Sequence, residues 1–250
     1  MRVKSTLRYE LKYLITRAQY HAVLAAIAPR LLPDTFGDST GAYPVTSLYF
    51  DTPDYKAFWD KLEGHKVRRK VRVRIYGQTV TGPDAPVFLE IKQRVDKRMA
   101  KRRARLTYAQ ALDLAGLDEA ATEDDPAFLH EVAYLHRTLA LQPACIVRYD
   151  RLAFEGDDAH PDLRVTFDTN LRGRTRDLTL LPGSDATDAF FLPPDRVVLE
   201  VKVNRSAPFW LTRILSRHGC VLRRVSKYCA ALEQNAAIGG RQRILTAGAP

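Results

Sequence analysis

Val67-Arg68-Arg69-Lys70-Val71-Arg72-Val73-Arg74-Ile75-Tyr76 decides the fold class. Its apolar members Val67, Val71, Val73 and Ile75 alternate with Arg68, Lys70, Arg72 and Arg74, and a period of two places successive side chains on opposite faces of a strand. One face is therefore apolar and the other carries four cations. The pattern recurs. Arg8 to Ile15 sets Arg8, Glu10 and Lys12 against Tyr9, Leu11 and Tyr13. Val87 to Arg94 sets Glu90, Lys92 and Arg94 against Leu89 and Ile91, Leu163 to Asp168 sets Arg164 and Asp168 against Val165 and Phe167, and Arg196 to Val203 sets Glu200 and Lys202 against Leu199 and Val201. With Val45 to Phe50, Met99 to Leu106 and Ala144 to Phe154, about eight strands are predicted.

Helical spacing of apolar residues predicts helices over Arg17 to Leu32, Thr107 to about Leu114, Glu131 to Leu141, Pro208 to His218 and Ser226 to Asn235. A short one ends at Lys61, capped from Asp51-Thr52-Pro53 with the proline in its first turn. The expected architecture is α+β, an antiparallel β-barrel tunnel of about eight strands with surrounding helices. It forms one domain over residues 1–238, with a flexible tail at 239–250.

The 250-residue length fits one core, and 39 Lys and Arg against 29 Asp and Glu give a formal charge of +10, which points to an anionic partner. The three cysteines form no CxxC pair, which excludes a disulfide framework and a four-ligand zinc site and fits a reducing compartment. Met1 to Thr6 contains no apolar signal core, and charged residues interrupt every hydrophobic run, so a cytoplasmic location is expected. Neither a phosphate-binding Gly-rich loop nor a Gly-x-Ser-x-Gly elbow occurs. The histidines have no ligand spacing, and the Lys/Arg-rich segment Asp96 to Leu106 lacks the interleaved aromatics of a single-strand binder, so no nucleic-acid partner is expected.

A sheet with one wet face also alternates apolar and charged residues. Such a face mixes signs, however, because like charges directly opposite one another are unfavourable. The alternative is a charged interior and an apolar exterior covered by helices. Glu10, Glu90 and Glu200 each stand two residues before a lysine, so Glu-x-Lys recurs on three strands. Cations for phosphate and one or two carboxylates for a phosphate-bound divalent metal suit a metal-triphosphate.

These residues resemble the VTC domain of polyphosphate polymerases, within the triphosphate tunnel metalloenzymes. The resemblance rests on Arg8-Tyr9-Glu10-Leu11-Lys12-Tyr13, Ser47-Leu48-Tyr49-Phe50-Asp51-Thr52, Arg72-Val73-Arg74-Ile75-Tyr76-Gly77, Leu89-Glu90-Ile91-Lys92, Arg148-Tyr149-Asp150-Arg151, Leu163-Arg164-Val165-Thr166-Phe167-Asp168-Thr169, Leu199-Glu200-Val201-Lys202 and Ser226-Lys227-Tyr228. It implies transfer of the terminal phosphoryl group of a nucleoside triphosphate, ATP by expectation, to a growing inorganic polyphosphate chain. It further implies that Lys12, Arg72, Arg74, Lys92, Arg151 and Arg164 are catalytic phosphate ligands and that Glu200 holds Mn²⁺ or Mg²⁺. Lys61, Lys101, Arg103, Lys202, Ser226, Lys227, Glu10 and Glu90 complete the expected substrate contacts.

Triphosphatase and cyclase-like relatives read Glu-x-Glu-x-Lys in the first strand, where this chain has Arg8 in place of the first glutamate. That exchange favours a polyanionic acceptor over simple hydrolysis. A triphosphatase of the same fold and a non-catalytic polyphosphate- or RNA-binding module are the alternatives. Eukaryotic relatives work beside membrane subunits, so the resemblance admits a membrane-protein partner that no residue here demands.

Overall fold

The computed structural model describes residues 9–77, 80–96, 98–118 and 125–235. Arg8 and the expected tail at 239–250 lie outside the described residues. Ten strands follow in chain order: β1 (Tyr9–Thr16), β2 (Leu32–Pro33), β3 (Ala42–Asp51), β4 (Val67–Tyr76), β5 (Pro86–Val95), β6 (Arg98–Thr107), β7 (Gln142–Glu155), β8 (Arg164–Arg174), β9 (Ala189–Phe190) and β10 (Arg196–Val203). The helices are α1 (Arg17–Ile27), α2 (Lys56–Leu62), α3 (Tyr108–Leu112), α4 (Pro126–Leu139), α5 (Phe209–Arg217) and α6 (Lys227–Gln234).

All strand pairs are antiparallel, in the spatial order β1-β10-β8-β7-β3-β4-β5-β6, with β2 added to β7 and β9 to β8. In a flat sheet β1 and β5 would stand about 29 Å apart, six spacings of roughly 4.8 Å. Yet Lys92 Nζ of β5 lies 2.9 Å from Glu10 Oε2 of β1. The sheet is therefore rolled, with its charged face inward. Unlike an ideal barrel it has a seam: among the described residues no backbone ladder joins β1 to β6. The basic edge strand β6, with Lys101, Arg102, Arg103 and Arg105, is guarded against pairing with other chains.

The outward apolar faces pack under helices, as the alternation requires. Val71, Val73, Leu89, Ile91 and Leu106 meet Phe128, Leu129 and Val132 of α4 and Ala111 of α3. Ile15, Val165, Phe167, Leu199 and Val201 meet Val23 and Ile27 of α1 and Leu211 and Leu215 of α5. A third cluster lies on the inner side, where Tyr228, Ala231 and Leu232 of α6 and Phe58 of α2 pack on Val45, Val147, Leu171 and Val198. Gly173 makes room for α6, since a Cβ there would lie 2.3 Å from the Ile146 carbonyl oxygen and 3.4 Å from Ala231 Cβ.

Several boundaries differ from expectation. The first helix stops at Ile27 because Pro29 forces a short 3₁₀ turn, and Leu32 and Pro33 then pair with β7. Asp51 and Thr52 do cap α2, their side chains accepting from the backbone of Ala57, Phe58 and Lys56, but Pro53 lies in the turn before the helix rather than inside it. Helix α4 starts five residues before the expected Glu131, with Asp125 as N-cap and Pro126 in its first turn. That pair is a start signal which the acidic residues before it disguise as loop.

Candidate active site

The rolled face encloses a cavity of about 1060 Å³ lined by fourteen lysines and arginines against four carboxylates. Eleven of the expected site residues line it: Glu10, Lys12, Lys61, Arg72, Arg74, Lys92, Arg151, Glu200, Lys202, Ser226 and Lys227. Register explains the convergence. Glu200 of β10 stands opposite Lys12 of β1, Lys202 opposite Glu10, Arg72 of β4 opposite Glu90 of β5, and Arg151 of β7 opposite Asp168 of β8.

Two networks organise the interior. In the first, Lys227 Nζ lies 2.9 Å from Glu200 Oε1 and 2.6 Å from Asp168 Oδ2, and Arg151 grips both Asp168 oxygens at 2.7 and 2.8 Å. Lys12 Nζ sits 3.1 Å from Glu200 and 3.4 Å from Glu10, and Lys202 Nζ lies 3.4 Å from the other Glu200 oxygen. Lys227 opens α6 just after its N-cap Ser226, where the helix dipole disfavours a cation, so the two carboxylates offset that cost. In the second network Arg72 donates Nε and Nη2 to Glu90 Oε2 at 2.8 and 2.6 Å and Nη1 to the Tyr49 hydroxyl at 2.9 Å. Arg74 donates to the hydroxyls of Ser47 at 3.0 Å and Tyr149 at 3.3 Å.

These neighbours set the proton affinities. Burial alone would raise Glu200, but Lys12, Lys227 and Lys202 hold it well below the usual carboxylate range. Glu10 and Glu90 are depressed likewise, burial being outweighed by Lys12 and Lys92 in the first and by Arg72, Arg74 and Lys101 in the second. Burial drives Lys92 down to about 8, with Lys12 and Lys202 adding to it and Glu10 opposing. Tyr49 falls to about 8, because Arg72, Arg74 and Lys70 outweigh a burial effect of opposite sign.

Four expected residues are not on the cavity wall. Arg164, the first residue of β8 and opposite the cavity residue Lys202, turns its guanidinium to Asp34, Glu155 and the Tyr43 hydroxyl, which hold it off the wall. Glu90 is fully buried behind Arg72 and Arg74. Lys101 bonds Glu90 at 2.5 Å, and Arg103 stacks on Phe88 with its guanidinium carbon 4.7 Å from the ring centre. Tyr49 and Tyr149 also line the cavity and Asp168 braces Arg151 and Lys227, residues to which spacing gave no function, although the alternation already placed Asp168 on the charged face. His130 bonds Asp118 and His136 the Leu141 carbonyl, both away from the cavity, whereas His65 lies on the cavity wall beside Asp60 and Glu63.

Among the described residues no cluster of three or more His, Cys, Asp or Glu could hold a metal ion. Both Glu200 oxygens face lysines, Oε1 Lys12 and Lys227 and Oε2 Lys202, so these residues do not form a resident metal cage.

A rolled antiparallel sheet with a cation-lined interior is the architecture of the triphosphate tunnel proteins. The family model for the VTC domain matches residues 7–235, and the chain belongs to that family. An adenylate cyclase candidate from Bacillus halodurans shares the fold at 13% identity, covering 88% of this chain and 94% of that one with a TM-score of 0.52. A Pyrococcus horikoshii protein matches at 14% identity over 91% and 99% of the two chains with a TM-score of 0.47. No curated protein sequence matches the chain. Among the described residues no helix is long and apolar enough to cross a membrane.

Proposed function

We propose that the protein is a polyphosphate polymerase that transfers the terminal phosphoryl group of a nucleoside triphosphate, ATP in the first instance, to the end of a polyphosphate chain. The observation that carries this reading is the pairing of the interior carboxylates: Glu10, Glu90, Asp168 and Glu200 each have two or more lysine or arginine nitrogens within 4.0 Å, which holds them ionised. Hydrolysis gains from a base that takes a proton from water, and carboxylates so stabilised are poor bases. A phosphate-chain acceptor is already an oxyanion and needs positioning and charge neutralisation instead.

Support for a polyanion also comes from register. Lys70 and Lys92 stand directly opposite one another across β4 and β5, as do Arg68 and Arg94, and all four line the cavity, an unfavourable arrangement that a bound polyanion relieves. In the transfer an acceptor oxygen forms a bond to the γ-phosphorus while the bond to the β-γ bridging oxygen breaks, its electron pair leaving with the nucleoside diphosphate. Arg72, Arg74 and Arg151 bind phosphate oxygens in charge-assisted bonds, and Lys12, Lys92, Lys202 and Lys227 neutralise the remainder. A divalent cation accompanying the nucleotide, with Glu200 as its protein ligand and Glu10 beside it, would screen charge on the leaving group.

The test is incubation of the purified protein with ATP and Mn²⁺, with Glu200→Gln alongside, and resolution of phosphate products by length on a gel. Long chains from the wild type, with the variant losing turnover more completely than polyphosphate binding, support the reading. Orthophosphate as sole product establishes the triphosphatase, and tight binding without turnover establishes the binding module.

A further inference from the structure

The interior is not equally open at its two ends. On the inward face Phe88 of β5 stands opposite Arg74 and Tyr43 of β3 opposite Arg151, Tyr76 of β4 lies one inward position beyond Arg74, and Phe36 from the loop before β3 folds over Tyr43 and Tyr76. Ring centres are 6.0 Å apart for Tyr43 and Tyr76, 5.7 Å for Tyr76 and Phe88, 5.6 Å for Phe36 and Tyr43, and 4.8 Å for Phe36 and Tyr76, all edge-to-face. Asp34, on the same loop as Phe36, accepts from the Tyr43 hydroxyl and from Arg164, which fixes the loop in place. None of the four rings lines the cavity.

At the other end the wall is formed by Lys61, Lys66, Arg68, Arg94, Arg223 and Arg224. Among the described residues none of these six makes an ion pair with a carboxylate, whereas the deep cations Lys12, Arg72, Lys92, Arg151, Lys202 and Lys227 all do. The cavity thus grades from self-neutralised charge inside to uncompensated charge at the rim.

We propose that the aromatic cluster closes one end, so that the cavity has a single mouth. The reactive end of a polyphosphate chain then lies inside, and its body runs outward over the unpaired rim cations instead of threading through to the far end. The identity of the chain rests on the polymerase reading, while the single mouth rests on the rings and the rim.

The test compares dissociation constants of inorganic triphosphate and of long-chain polyphosphate for three proteins. These are the wild type, R223Q/R224Q at the rim, and R105Q, an exposed β6 residue opposite Phe88 at the closed end. The wild type should bind the long chain at least about tenfold more tightly than triphosphate, from the added phosphate contacts. The rim variant should lose most of that ratio and R105Q should keep it. A long chain bound no better than triphosphate, a ratio unmoved in R223Q/R224Q, or a ratio lost in R105Q overturns the single mouth. No step in this comparison needs turnover, so a failure to synthesise polyphosphate would sink the polymerase reading and leave this result to be judged by itself.

Discussion

Glu90→Gln isolates the charge that holds the buried arginines. Glu90 is fully buried, takes two bonds from Arg72, and has Arg74 at 3.9 Å and Lys101 at 2.5 Å. Glutamine keeps the shape and one acceptor oxygen but leaves Arg72 and Arg74 without their counter-charge. Removing one partner of a buried pair costs about 3–5 kcal/mol. For a domain of this size each kcal/mol lowers Tm by about 2–4 °C, so calorimetric unfolding at pH 7 should show a fall of about 6–20 °C. Acid titration supplies a second readout. The Glu90 carboxyl is held below its ordinary value near 4.5, so the stability it contributes is present above that pH and is lost as pH falls toward the folded-state value. The gap between wild type and variant should therefore narrow below pH 4.5 by up to about 1.4 kcal/mol per pH unit. A Tm drop of less than about 2 °C would refute the burial argument. A gap that stays constant through the acid range would refute the charge argument.

Because Lys92 is depressed to about 8, a bound polyanion should raise it, so that binding takes up a proton at and above that pH and affinity falls as pH rises through the window. Calorimetric titration of inorganic triphosphate at pH near 8 in buffers of different ionisation enthalpy should register the uptake, and Lys92→Met should abolish it; no uptake by the wild type contradicts the assignment. Gly173→Ala places a methyl 2.3 Å from the Ile146 carbonyl oxygen and against α6. It should cost about 1–3 kcal/mol in denaturant unfolding and weaken anion binding through Lys227; unchanged stability would show that α6 yields freely.

Most of the sheet could be read because each strand declares itself twice, by an apolar face that needs a helix cover and by a charged face that does not. Val67–Tyr76 matches its strand end to end, and the charged faces of β1, β4, β5 and β10 do converge. What could not be read depends on distant contacts. Nothing local in Ser226-Lys227-Tyr228 specifies that Lys227 lands between Asp168 and Glu200, or that Tyr228 reaches Asp51, because both follow from how α6 docks on Gly173. Arg164 alternates in phase with the site yet lies at the end of the β8–β10 pairing, where Asp34, contributed by a loop, captures it. The aromatic closure was hidden for a similar reason: Tyr43, Tyr76 and Phe88 come from three strands, and Phe36 from a loop with no period of its own.

The seam between β1 and β6 has a mechanical meaning. In a fully laddered cylinder the girth is locked by backbone hydrogen bonds all the way round, and widening it means tearing a row of them. Among the described residues the direct bond between β1 and β5 is the Lys92–Glu10 ion pair, formed by two flexible side chains. Widening the shell at the seam therefore strains side-chain contacts and not a ladder: that clasp, and the 222–228 segment, which reaches β1 through the Arg223 amide on the Lys12 carbonyl and β4 through Lys70 on the Ser226 hydroxyl, while the eight-strand ribbon stays intact. Since Lys92 and Glu10 both line the cavity, the cargo itself competes for the clasp.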